Sequence, residues 1–458
     1  MTREALMTSR PAKATPVRIR TAATAASIGT FVEYYDFVVY TYFASVFGPL
    51  FFPVKSAPAS LLLTFAAFAT SYLVRPLGAM IFGPLGDRYG RRSVLSGVIL
   101  LMSAATTLIG FLPAYGQIGV AAPILLTVIR LVQGISVGGE FGGAISYVAE
   151  FAPARRRGFL LSWLGVAIGL GLLAGALVSA AVSRSVSPDA LASWGWRVPF
   201  LLALPLGLVG VYLRLRLADT PEFVAAAREG GVENAPLRAS VRRDFRAIAL
   251  TVAILAGLTV FTYLYLIYLP TYLVSVLHYG RSAALLANVV GIAAFCVGMP
   301  LFAALSDRFG RRPVLIAGSG ALTALSYPGF LLLGSGRTAT LGWTLAVLGL
   351  LTAATFAPCL PILPELFAVG TRYTSMGLGW NICAVLFGGA APLVATSLIV
   401  TTGDPAAPAY YAMLGGALSF AAALAIKETA GNRLARAANQ AVKPDSRVPA
   451  GNPATAPE

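Results

Sequence analysis

Along the 458 residues, long apolar runs alternate with short polar stretches, and the runs are of membrane-crossing length. About 20 mostly apolar residues cross the hydrocarbon core of a bilayer as a helix. On that window the pattern predicts twelve helices, over 22–46, 60–84, 94–112, 121–146, 159–182, 196–215, 248–274, 283–304, 314–333, 340–362, 374–401 and 409–426. Glycine and proline interrupt the fifth and tenth runs. The longest polar stretch between runs, Arg216 to Arg246, separates two sets of six. The expected organisation is a polar segment 1–20, a six-helix bundle 21–215, a central loop 216–247, a second bundle 248–428 and a tail 429–458. The tail is polar and Pro/Ala-rich without heptads, and is expected to be disordered. The first apolar run contains Glu33 and Asp36 and is too long and too acidic for a cleaved signal peptide, so it is expected to remain as a spanning helix.

Composition agrees with this pattern. Hydrophobic residues make up 57% and charged residues 11% of the chain, against roughly 25% charged in an ordinary globular domain. No soluble fold hides that much apolar surface, which excludes secreted, disordered, collagen-like and nucleic-acid-binding classes. The net charge of +16 follows from topology. With both termini cytoplasmic, 27 of the 34 basic residues fall on the cytoplasmic side and five on the other, while Arg75 and Arg130 lie inside helices. The chain therefore reads as a multi-pass protein of a bacterial inner membrane, with the bilayer as its surroundings and no nucleic-acid partner. Cys296, Cys359 and Cys383 sit in apolar runs and His278 is the only histidine, so neither a disulfide framework nor a metal site is expected. No nucleophile–base–acid set suggests an enzyme.

The chain also repeats itself. Gly83-Pro-Leu-Gly-Asp-Arg-Tyr-Gly-Arg-Arg-Ser-Val-Leu95 returns 220 residues later as Ala303-Ala-Leu-Ser-Asp-Arg-Phe-Gly-Arg-Arg-Pro-Val-Leu315, identical at 8 of 13 positions. Glu150 and Glu365, each closing the fourth helix of its half, correspond at a spacing of 215. Two equivalent bundles meeting at a central axis is an architecture of alternating-access carriers. The paired Asp-Arg-x-Gly-Arg-Arg loops resemble the signature of the major facilitator superfamily. Arg130-Leu-Val-Gln-Gly-Ile-Ser-Val-Gly-Gly-Glu140, Glu150-Phe-Ala-Pro-Ala-Arg-Arg-Arg-Gly158 and Gly29-Thr-Phe-Val-Glu-Tyr-Tyr-Asp-Phe37 are similar to the metabolite:proton symporters of that superfamily. Gly195-Trp-Arg-Val-Pro-Phe, Asp219-Thr-Pro-Glu-Phe223 and Tyr268-Leu-Pro-Thr-Tyr-Leu look closest to its proline/glycine-betaine symporters. The resemblance implies an all-α fold of two pseudo-symmetric six-helix bundles.

Charges inside the predicted spans carry the candidate chemistry. Glu33 and Asp36, three residues apart, share one face of the first helix. At 1.5 Å per residue they lie about 16 and 20 Å from the cytoplasmic end, with Arg75 and Arg130 at overlapping depths. A charge at the bilayer centre costs about 2.5–3.5 kcal/mol or more unless it pairs or faces a cavity. They are either ion pairs holding the bundle together or a proton-coupling set in which a carboxylate alternates between an arginine partner and a desolvated, protonated state. The resemblance implies the second role for the helix-one acids and Arg130. The proton would then be the coupling ion, with no cofactor, and no Gly-x-x-x-x-Gly-Lys loop is present.

For the substrate, Phe261, Tyr265, Tyr268 and Tyr272 recur at spacings of 4, 3 and 4 on helix seven, and Phe31, Tyr35 and Tyr42 lie on helix one. Aromatic faces attract alkylated ammonium groups, and Arg75 or Arg130 suits a carboxylate. Gln133, Trp380 and Asn381 are further cavity candidates. A zwitterion such as proline or glycine betaine fits best, taken up by a monomeric carrier. A di- or tricarboxylate or keto acid is the alternative. A drug:proton antiporter is disfavoured because helix five has Gly165, Gly169, Gly171 and Gly175 but no proline. The repeated loops, with Asp87, Arg88, Arg91 and Arg92 and with Asp307, Arg308, Arg311 and Arg312, are expected to form a cytoplasmic gate by pairing with Glu150 and Glu365 or capping helix ends.

Overall fold

The computed structural model describes residues 16–54, 56–215, 236–368 and 370–430, and among these all regular structure is helical. The first half comprises α1 (Pro16–Tyr42), α2 (Ala57–Leu73, resuming as Arg75–Tyr89), α3 (Arg91–Phe111), α4 (Ala121–Phe151), α5 (Arg157–Ser185) and α6 (Arg197–Leu201, resuming as Ala203–Leu215). The second half begins with α7 (Phe245–Phe261, continuing through a π-helical stretch, Thr262–Tyr268, into Leu269–Ser275). It goes on with α8 (Arg281–Phe309), α9 (Arg311–Leu333), α10 (Thr338–Leu366), α11 (Arg372–Cys383, then π-helical Ala384–Gly388, then Ala391–Thr402) and α12 (Pro408–Ala425). A short helix, Pro236–Arg243, falls in the expected central loop, whose residues 216–235 lie outside the described residues, as do 431–458 of the expected tail.

Among the described residues, eleven helices, α2 to α12, are long and apolar enough to cross a membrane. α1 has 27 residues, a length of about 40 Å. Its acids and hydroxyl residues lower its hydropathy, and it lies along α5 and α4 within the first half. α5 and α10, whose runs glycine and proline interrupt, are each 29-residue helices, with Pro358, Pro361 and Pro364 inside α10. In a membrane span the neighbouring helices satisfy the carbonyls that proline leaves free. Trp343, Leu393 and Val400 stand on the outside, each more than two-thirds exposed. Such a surface suits lipid, and the chain is a multi-pass membrane protein.

Local sequence sets the breaks. Pro76 has no N–H for the Tyr72 carbonyl, so α2 is interrupted at Val74, whose carbonyl accepts from both Leu77 and Gly78. The repeated loops turn on Gly90 (φ 100°) and Gly310 (φ 110°), a backbone conformation open to glycine. The halves meet along a seam where α2 and α4 pack on α11 and α5 packs on α8. On α4, Gly134, Gly138 and Gly142 admit close neighbours: a Cβ there would come within 2.1 Å of the Ser71 carbonyl, 2.1 Å of the Arg75 carbonyl and 3.0 Å of Gly377.

Candidate functional site

Glu33 and Asp36 leave α1 toward different partners. Asp36 meets Arg130 of α4 at 2.9 Å. The guanidinium lies 3.6 Å from the Tyr40 ring centroid and 5.6 Å from that of Phe68. This is a tight pair roofed by rings of its own half. Glu33 meets Arg75 of α2 at 3.8 Å, beyond hydrogen-bond length. The Arg75 guanidinium lies 4.0 Å from the Tyr72 centroid and 4.9 Å from that of Phe37. Tyr263, on the π-helical stretch of α7, crosses the seam to place its ring 5.8 Å from Tyr72. All these side chains are buried except Phe68, which is partly buried. Among the described residues, Nε and Nη2 of Arg75 and Oε2 of Glu33 have no hydrogen-bond partner, and the same holds for Nε and Nη2 of Arg130 and Oδ1 of Asp36.

A second construction closes the end of the bundle that carries the repeated loops. Asp87 accepts from the Tyr373 N–H at 3.2 Å, the Thr374 N–H at 2.9 Å and the Thr374 hydroxyl at 2.7 Å, capping α11 of the opposite half. Asp307 does the same for α5, from the N–H groups of Gly158 at 3.0 Å and Phe159 at 2.8 Å. Arg91 pairs with Asp87 and Glu150, and Glu150 also binds Arg372 at 2.9 Å. Arg311 pairs with Asp307 and Glu365, and Glu365 also binds Arg157 at 2.7 Å. The Tyr373 ring fills a slot where a Cβ on Gly86 or Gly143 would come within 2.0 or 2.4 Å of it, and its hydroxyl donates to the Gly139 carbonyl. Two acids and two arginines thus bridge the seam twice, in the same arrangement.

The sequence profile of the Major Facilitator Superfamily matches residues 23–392. The chain belongs to the Major Facilitator Superfamily. It is similar to the proline/betaine transporter of Salmonella typhimurium, 37% identical, with 91% of this chain and 85% of the relative covered. It is also 36% identical to the glycine betaine/proline/ectoine/pipecolic acid transporter OusA of Dickeya dadantii, again over 91% of this chain and 85% of the relative. The proton:xylose symporter XylE bound to 6-bromo-6-deoxy-D-glucose shares the fold, with a TM-score of 0.74 at 19% identity, covering 91% of this chain and 98% of XylE. The molecule is a superfamily secondary transporter, and its two bundles are the superfamily's two halves.

Within that superfamily frame the expected residues sort as follows. Glu33, Asp36, Arg75 and Arg130 come together. Tyr35 does not join them: its hydroxyl donates to the Pro199 carbonyl at 2.8 Å, on the α1 face turned to α6. Tyr265 and Tyr268 are turned into their own half, bonded to Ser326 and Thr396, because the stripe with Phe261 and Tyr272 packs against Phe330 of α9 and against α11. Gln133 donates to Thr106 of α3 at 2.7 Å and is held inside the first bundle. Trp380 and Asn381 reach the seam. Trp380 stacks on Phe141 of α4 at 3.9 Å, and Asn381 donates to the Gly138 carbonyl at 2.8 Å. At the loops, Arg88 and Arg308 are exposed and lie over the adjacent rings Tyr89 and Phe309, outside the bridge. Arg92 and Arg312 bond the last carbonyls of α6 and α12, Leu215 and Ala423 with Leu424, in their own halves.

Several residues have no counterpart in the sequence reading. Phe37, Tyr40, Phe68 and Tyr72 stand three, four or seven positions from the intramembrane charges, which is the signal that marks their face. Tyr263 has no such marker. Arg157 and Arg372 are related by the 215-residue spacing that relates Glu150 and Glu365. Glu140 of α4 forms a buried two-pronged pair with Arg214 of α6, which also donates to the Leu95 carbonyl and so ties three helices of the first half.

Proposed function

We propose that this transporter is a proton-coupled symporter that brings a small zwitterion of the proline or glycine betaine class across the inner membrane. The observation that carries the reading is the contrast between the two buried pairs. Asp36–Arg130 is closed at 2.9 Å within one half, whereas Glu33–Arg75 is loose at 3.8 Å, without a hydrogen bond, and adjoins the opposite half through Tyr72 and Tyr263. A guanidinium with free donors takes a carboxylate, and the surrounding rings take an alkylated ammonium. When Arg75 turns to the ligand, Glu33 is left without its cation in an apolar site, where its neutral, protonated form is favoured. The names of the similar transporters support the zwitterion over a di- or tricarboxylate. So does the hydrogen bond of Arg130 to Asp36 at 2.9 Å, which leaves Arg75 the less engaged of the two arginines.

The loop end is assigned to the cytoplasm, with both termini on that side, by the distribution of basic residues. The bridged conformation is then closed to the cytoplasm. The scheme needs one copy of the chain and no cofactor besides the proton. A membrane potential of 100 mV supplies about 2.3 kcal/mol per charge, enough for roughly a fifty-fold gradient. The test is uptake of labelled glycine betaine, proline, citrate and 2-oxoglutarate into vesicles under an imposed pH gradient. Accumulation of the zwitterions, abolished when the gradient and potential are collapsed, is expected. Stimulation by an organic acid alone overturns the assignment.

A further inference from the structure

We propose that Arg75 is the specificity residue that restricts the carrier to zwitterions: its guanidinium occupies the faces of Phe37 and Tyr72, which Tyr263 flanks from the opposite half, until a ligand carboxylate draws it out and an alkylated ammonium takes its place in that cage. The inference rests on the zwitterion reading above and deepens it. The guanidinium carbon lies over two ring faces, 4.0 Å from the Tyr72 centroid and 4.9 Å from that of Phe37, while Glu33 approaches to 3.8 Å atom to atom without a hydrogen bond. Tyr34 backs the cage, with its ring 5.5 Å from Phe37 at 66°. Electron-rich faces that accept a guanidinium accept a methylated ammonium for the same electrostatic reason. Arg75 is only 1% exposed, yet Nε and Nη2 are without acceptors. Buried donors in that condition are costly, and two of them in a planar fork match a carboxylate.

The consequence is a selection rule. A cation without a carboxylate, such as choline, brings no acceptor for the fork and meets a tethered positive charge already seated on the rings. A zwitterion supplies both parts. Its carboxylate replaces Glu33 as the partner of Arg75, and a proton from the aqueous phase adds to the Glu33 carboxylate, so the loaded site carries one net positive charge, that of the proton, on which the membrane potential acts. Arg130 also has Nε and Nη2 without a partner among the described residues, but its Nη1 is hydrogen-bonded to Asp36 at 2.9 Å and its rings, Tyr40 and Phe68, belong to the same half, so it is assigned to hold Asp36.

The test uses the full chain in proteoliposomes, with labelled choline binding and glycine betaine counterflow as readouts. Wild-type protein is expected to exclude choline supplied in large excess. Arg75→Gln vacates the cage and gains choline binding by about tenfold or more, while Arg75→Lys, which keeps a tethered cation, continues to exclude it. Tyr263→Leu in an otherwise wild-type chain leaves Arg75 in place and lowers glycine betaine affinity by about tenfold. Choline binding by the wild type on a par with glycine betaine overturns the proposal. So does a folded Arg75→Gln protein without the gain, or an unchanged glycine betaine affinity in Tyr263→Leu, which is informative even if Arg75→Gln does not fold. Wild-type glycine betaine accumulation persisting alongside any of these results separates failure of the cage from failure of the symporter reading.

Discussion

Two arginines hold two carboxylates on unequal terms, and the inequality assigns their work. Arg130 is clamped by Asp36 and stacked on Tyr40 at 3.6 Å, so its planar group matters as much as its charge. Arg130→Lys keeps the charge but loses the stacking and the fork, and transport at subsaturating substrate should fall by about tenfold or more. In the proposed scheme Glu33 is the acid that changes partner. Glu33→Gln should abolish accumulation against a gradient while sparing counterflow exchange, in which no net proton movement is required; accumulation that persists makes Glu33 structural. These charges were legible because a carboxylate or guanidinium in an apolar run stands out against its neighbours. Tyr263 was not legible, because nothing charged on α7 distinguishes its face. The stripe of Phe261, Tyr265, Tyr268 and Tyr272 is instead packing within the second half. Rings serve a core and a binding site equally well, and spacing alone does not separate the two.

At the scale of single helices, apolar run length placed every span near its observed position. What it did not reveal were the ends and the interruptions, which depend on specific partners. The start of α9 is an example. Glu428 accepts from the N–H groups of Arg311 at 2.8 Å and Arg312 at 3.0 Å, donors that the first turn of a helix leaves unsatisfied. Partial burial works to raise the Glu428 carboxyl, but the backbone donors outweigh it and hold the group below its ordinary value. A lowered value in the folded protein means that Glu428 stabilises above its unfolded value of about 4.3 and loses that contribution as pH falls through the folded value. Glu428→Gln should therefore cost about 0.5–1 kcal/mol at pH 7, with the gap from wild type closing in strongly acidic buffer. Thermal unfolding in detergent at several pH values measures it. A gap that does not change with pH refutes the charge-based account.

For the whole molecule, the repeat predicted two halves and two loops but did not specify what the loops grip. Asp87 and Asp307 each cap a helix of the opposite half, so each half holds the other by the same device. Asp87→Asn or Asp307→Asn weakens one cap, and together they should shift the population toward a form open at the loop end. Spin labels on the loop-end residues of α2 and α11, and of α5 and α8, would report longer distances, more in the double variant than in either single one. Unchanged distances would mean that packing, not the caps, closes that end. The 215-residue spacing also sets Gly158 opposite Tyr373, so one seam is plugged by a ring and the other is not. α2 adds a mechanical relation. Its break at Val74 lies one residue from Arg75, and its far end carries Asp87. In the proposed scheme a ligand that draws on Arg75 acts beside the bend of a helix whose other end holds the latch to α11, so that occupancy and release would be coupled through one rigid element.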